Sequence, residues 1–241
     1  MTFSQRKPIK LNSRLVDLIM ENHFILLMLE HFEIDFVVNN KTIENICLEN
    51  NINPEIFIAI ANLYNNNDPS HIINYTSNDI AFIIKVLKNT HLYYKQDKYP
   101  EIQHYIQNLN QNNTSAGIIL LEKFFNEYFN EVIEHLDYED NVAFPYFSKL
   151  LNGNQLKEYR IKKKGNFSVT TYQNHHTDIE SKLADLKNLL LKHLILKYDL
   201  SLRRKLLFSL FELEFDLKVH SLIEENILIP MVKEIERGEH E

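Results

Sequence analysis

Residues His135–Pro145 read HLDYEDNVAFP, and residues His220–Pro230 read HSLIEENILIP. In both, a glutamate follows the histidine by four positions and a proline follows that glutamate by six. A single His-x3-Glu spacing carries little information in a chain with 33 acidic residues among 241. Two copies in one register, each ending on proline, form an internal repeat. Each copy continues an apolar 3-and-4 spacing, through Phe125, Tyr128, Val132, His135, Glu139 and Val142 in the first and Leu206, Leu210, Leu213, Leu217, His220, Glu224 and Ile227 in the second. Histidine and glutamate thus stand on helix seams where leucine is expected, and burial there without partners would cost several kcal/mol per group. The neighbouring acids Asp140 and Glu225 fall off the seam.

Working outward, two further segments share the period. One follows Ser77, a plausible N-cap, through Ile80, Ile84, Leu87, His91 and Tyr94. The other runs through Val169, Tyr172, His176, Ile179, Leu183, Leu186 and Leu190. Four long amphipathic segments with mostly short connections predict an antiparallel four-helix bundle over residues 77–238. Ahead of it, Leu15 to Ile19, Leu26 to Leu29, Ile43 to Ile46 and a segment opened by Pro54 predict a small helical N-terminal domain, residues 1–65. The stretch Asn65 to Ser77, rich in Asn, Asp, Pro and Ser, has no sustained period and marks the boundary. Four glycines and six prolines are few for this length, so the fold class is all-α.

Each bundle segment places one histidine on its inward stripe, and two add a glutamate. The candidate metal ligands are therefore His91, His135, Glu139, His176, His220 and Glu224. At about 1.5 Å per residue, counting from the expected helix ends puts all six within roughly 12 Å along the bundle. Four imidazoles and two carboxylates favour iron or manganese over thiophilic metals, and six ligands suit two ions bridged by the glutamates. His176 continues its stripe and the adjacent His175 does not. His23, His31, His71, His104, His193 and His240 lie outside the pattern and read as surface or satisfied core residues. Pro145 and Pro230 either kink their helices just beyond the ligands or end them.

A formal charge of −7 argues against a nucleic-acid or anionic-membrane partner, and Lys162, Lys163 and Lys164 read as a solvated loop. The lone cysteine, Cys47, excludes an intramolecular disulfide and fits a reducing compartment. The N-terminus lacks the order of a signal peptide, and the apolar run Phe24 to Leu29 is too short to span a bilayer, so the expected location is the cytoplasm.

The paired motifs, with His91 upstream and His176 between them, resemble the hemerythrin-like domain of the repair-of-iron-centres family, also called iron–sulfur cluster repair di-iron proteins. Residues 32–52, FEIDFVVNNKTIENICLENNI, look like that family's short N-terminal domain, so the likeness covers nearly the whole chain. The resemblance implies two non-haem iron ions, oxo-bridged, on His91, His135, Glu139, His176, His220 and Glu224, with both glutamates bridging; manganese suits the same donors. It implies a protein of nitrosative and oxidative stress. Nitric oxide, oxygen or peroxide would be its small ligands, and damaged iron–sulfur proteins the clients that receive iron. Metal binding and repair, rather than multi-turnover catalysis, follow from that resemblance, and a homodimer is compatible with it.

Where the family carries tandem cysteines and glycines, this chain has Val37, Val38, Asn39 and Asn40, and Cys47 alone stands near the later small-residue or cysteine position. A thiolate pair is what would make that domain a redox element or iron relay. Its loss opens an alternative, a nitric oxide or oxygen sensing module in which ligand binding shifts how the N-terminal helices dock.

Overall fold

The structure is a computed structural model that describes residues 7–69, 72, 74–113, 116–151, 168–173, 179–194 and 199–237. Every named element among them is helical, and the one extended pairing is an isolated antiparallel bridge between Arg14 and Thr42. The all-helical expectation holds: several long helices pack together, preceded by short ones. The short ones are α1 (Leu15–Glu21), α2 (Ile25–His31), α3 (Ile43–Asn50) and α4 (Pro54–Tyr64). Next, α5 (Ser77–Tyr93) runs through a π-helical turn, π1 (Tyr94–Lys98), into α6 (Tyr99–Asn112). In the same way α7 (Ala116–Tyr138) passes through π2 (Glu139–Ala143) into α8 (Phe144–Leu150). After α9 (Val169–Gln173), α10 (Ile179–Asn188) ends in π3 (Leu189–His193), and α11 (Leu200–Ile223) passes through π4 (Glu224–Leu228) into α12 (Ile229–Arg237). No helix among the described residues is long and apolar enough to cross a membrane. His71, His175, His176, His240 and the Lys162 to Lys164 cluster lie outside the described residues.

Of the two expectations for Pro145 and Pro230, termination fails, because both helices continue past the ring. The π turns explain how. Each closes with a bond five residues back, from Tyr99 N–H to Tyr94 O, Phe144 N–H to Glu139 O and Ile229 N–H to Glu224 O. In all three the next residue is a proline, Pro100, Pro145 or Pro230. Proline has no N–H to donate, and its ring presses on the carbonyl four residues back. Widening the preceding turn relieves both problems while the backbone stays helical. In the second of these helices, Asn141 Nδ2 also donates to the Asp137 carbonyl at 2.8 Å. Glu139 and Glu224 are each the first residue of a π turn, and Tyr94 holds that place in the first long helix.

The chain divides into two compact units. One comprises residues 1–89, 147–164 and 219–241. Its α3 begins where the Thr42 hydroxyl accepts from Asn45 N–H and ends on Asn51 in the left-handed conformation at φ 53°. Its α4 begins where Asn53 accepts from Glu55 N–H ahead of Pro54 at the first helical turn. Ile56, Phe57, Ala59 and Ile60 of α4 are wholly buried, so this helix is the core of the N-terminal segment. Asn62 accepts from Ile9 N–H at 2.9 Å, and Asn22 donates to the Tyr64 carbonyl at 2.9 Å, tying the flanking chain to α4. Between α2 and α5, Asn89 donates to the His31 carbonyl at 2.8 Å and Lys85 meets Glu33 at 2.6 Å.

The other unit comprises residues 90–146 and 165–218. Here α6 and α10 both pack on α7. Buried Ile102, Ile106, Leu121, Leu183, Leu186 and Leu210 fill the space between helices, and the Tyr99 ring stacks on Phe125 and Phe129 with centroids 5.4 and 3.8 Å away. Lys98, nearly buried, is neutralised by Glu101 at 2.8 Å and Glu212 at 2.6 Å.

Candidate metal centre

Glu139 is wholly buried. Its Oε2 lies 3.2 Å from Nε2 of His91, and its Oε1 lies 2.9 Å from Nε2 of His135 one turn earlier on α7. Seam spacing places His135 of α7 and Glu139, the first residue of π2, on one face of that continuous helix, and α5 supplies His91. The Tyr172 phenol of α9 donates to Oε1 at 2.8 Å. Each carboxylate oxygen is thus faced by a different imidazole.

His91 is held at its other edge too. Its Nδ1 is 3.0 Å from Asp140 Oδ1, and its ring stacks on Phe144 with centroids 5.6 Å apart. Burial would lower the His91 pKa, but the hydrogen bonds to Asp140 and Glu139 outweigh it and raise the value to about 9. Burial would raise Asp140, and the His91 hydrogen bond together with Lys95 brings it below its ordinary value instead. The His91 ring is thus held at Nδ1 by Asp140, with Nε2 turned toward Glu139.

The second motif forms its own pair, His220 Nε2 lying 3.6 Å from Glu224 Oε1, with both residues buried. Buried His91 and Glu139 belong to a group of histidine and carboxylate donors able to hold one metal ion. Of the six expected ligands, His91 and His135 each meet Glu139, and His220 meets Glu224. His176 lies outside the described residues.

Two site residues escape a reading by period. Asp140, expected to be a bystander, touches His91 across a separation of 49 residues, for which helical periodicity holds no signal. Tyr172 stands on an apolar stripe where only its ring would be counted, and its hydroxyl reaches the carboxylate.

The donors fit a first-row metal ion: they are imidazole nitrogen and carboxylate oxygen without sulfur, and a carboxylate orients the far nitrogen of one histidine. No protein-family model matches this chain, and no curated protein matches it. What the site can do follows from its own donors and their surroundings.

Proposed function

We propose that residues 77–238 form a hemerythrin-like antiparallel four-helix bundle that holds two iron ions on His91, His135, Glu139, His176, His220 and Glu224, behind a small N-terminal domain of residues 1–65. The observation that supports this most is Glu139, a buried carboxylate whose two oxygens are each faced by an imidazole Nε2. That disposition suits a carboxylate shared between two ions.

Bound iron would supply redox change and open positions for nitric oxide, oxygen or peroxide. The chain's own residues do the rest. Glu139 and Glu224 offer carboxylates from the first residue of a π turn, a feature that concentrates at functional sites. Asp140 orients His91, Tyr172 orients Glu139, and Phe144 covers the His91 ring against water. We infer a cytoplasmic role in nitrosative and oxidative stress, with iron donated to damaged iron–sulfur proteins.

The test mixes the iron-loaded chain anaerobically with an enzyme whose iron–sulfur cluster has been destroyed by nitric oxide. Recovery faster than with an equal amount of free ferrous iron is expected. Recovery no faster than that contradicts donation.

One observation favours a second reading. Cys47 is buried, and burial pushes its thiol up to about 12, so the only thiol of the chain is not poised for exchange. An N-terminal domain without thiol chemistry suits a sensor of nitric oxide or oxygen that keeps its iron. Quantitative retention of iron through exposure to nitric oxide and a damaged client would select this reading over donation.

A further inference from the structure

Where the two repeated motifs carry glutamate four residues after histidine, the first long helix carries His91 followed by Lys95. Lys95 is largely covered, and its Nζ lies 2.7 Å from Asp137 Oδ1 and 3.5 Å from Asp140 Oδ2. Asp140 in turn presents Oδ1 to His91 Nδ1 at 3.0 Å, and His91 presents Nε2 to Glu139 Oε2 at 3.2 Å. These contacts form an unbroken chain within one compact unit, from a cation near the surface to the buried carboxylate. An ionised aspartate accepts hydrogen bonds only, so the His91 nitrogen facing Asp140 carries a proton. The counterpart of Asp140 in the second motif is Glu225, which is exposed. The two halves of the repeat therefore diverge at this position.

We propose that Asp140 is a positioning residue of the metal centre: it accepts the Nδ1–H hydrogen bond of His91, holds that ring with Nε2 toward Glu139, and is itself held by Lys95. The inference rests on the metal-binding reading above. A carboxylate behind a ligating imidazole fixes the tautomer, the ring angle and the basicity of the donor nitrogen. Lys95 limits the rotation of Asp140, so the geometry exists before metal arrives.

The test measures ferrous iron affinity by chelator competition for the full chain and its Asp140→Ala, Asp140→Asn, Lys95→Met and Glu225→Ala variants. Asp140→Ala is expected to bind about 10–100-fold more weakly. Glu225→Ala should match the unsubstituted chain, and Lys95→Met should fall between. Asp140→Asn should lose less than Asp140→Ala, because its amide oxygen accepts the same hydrogen bond. A merely structural role would not move the second readout, the slowly exchanging, hyperfine-shifted Nδ1 proton of His91 in the ferrous protein. It should persist in Asp140→Asn and vanish in Asp140→Ala.

Affinity in Asp140→Ala no weaker than in Glu225→Ala, or persistence of that proton, overturns the proposal while leaving the metal reading intact. Should Asp140→Ala not fold, Asp140→Asn decides, and loss of the proton there overturns it. An unsubstituted chain that takes up no iron overturns the metal reading itself and this proposal with it.

Discussion

Tyr172 donates its phenolic proton to Glu139 Oε1 across 2.8 Å, and both residues are almost wholly buried. The same oxygen lies 2.9 Å from His135 Nε2, so the phenol and the imidazole together set the plane of the carboxylate. A hydrogen bond to a buried charged group is worth more than one between neutral groups, and phenylalanine keeps the ring while removing the donor. Tyr172→Phe is expected to destabilise the metal-free protein by about 1–3 kcal/mol in urea denaturation. An unchanged midpoint would show that the bond contributes nothing to holding Glu139.

The charge state of His91 gives the metal-free protein a pH dependence. Burial would lower the pKa, but Asp140 and Glu139 raise it from an ordinary 6.5 to about 9. A group raised on folding stabilises fully below its unfolded pKa and loses that contribution as pH rises through its folded pKa. The metal-free chain should therefore lose stability from near pH 6.5 to about 9. Iron uptake must displace the Nε2 proton and should strengthen over the same interval. Urea midpoints just below and just above it, for the unsubstituted chain and for His91→Gln, provide the check. A slope as steep in His91→Gln would assign the effect to another group.

Pro145 offers a test of the π turn. A proline inside a helix costs about 3 kcal/mol relative to alanine, and the widened turn at Glu139–Ala143 absorbs part of that cost. Pro145→Ala restores an N–H and removes the ring, so the turn is free to tighten. The metal-free protein is expected to gain stability, by at most about 3 kcal/mol, while iron affinity falls as Glu139 leaves its place. Lower stability with unchanged affinity would mean that the π turn does not depend on the proline.

The parts of this molecule legible in the sequence are those written in period and punctuation. His135, Glu139, His220 and Glu224 stand out because they interrupt apolar seams at matching intervals, and all four are at most slightly exposed. Pro54, read as opening a segment, stands in the first turn of α4. The π turns were hidden because a 3.6-residue period treats a helix as uniform, although Pro100, Pro145 and Pro230 each mark one. The Asp140–His91 and Tyr172–Glu139 contacts join residues 49 and 33 positions apart, a distance at which only tertiary packing brings side chains together. Lys98 illustrates the same limit, being a lysine nearly buried because Glu101 and Glu212 converge on it.

The most direct test of a di-iron centre is Mössbauer spectroscopy with iron quantification on anaerobically purified full-length chain, beside Glu139→Gln and the exposed-site control Glu225→Gln. Two irons per chain with a magnetically coupled signature are expected, retained in Glu225→Gln and lost or reduced to uncoupled iron in Glu139→Gln. A single uncoupled iron in the unsubstituted chain, or equal iron content in both variants, would contradict a centre built on Glu139.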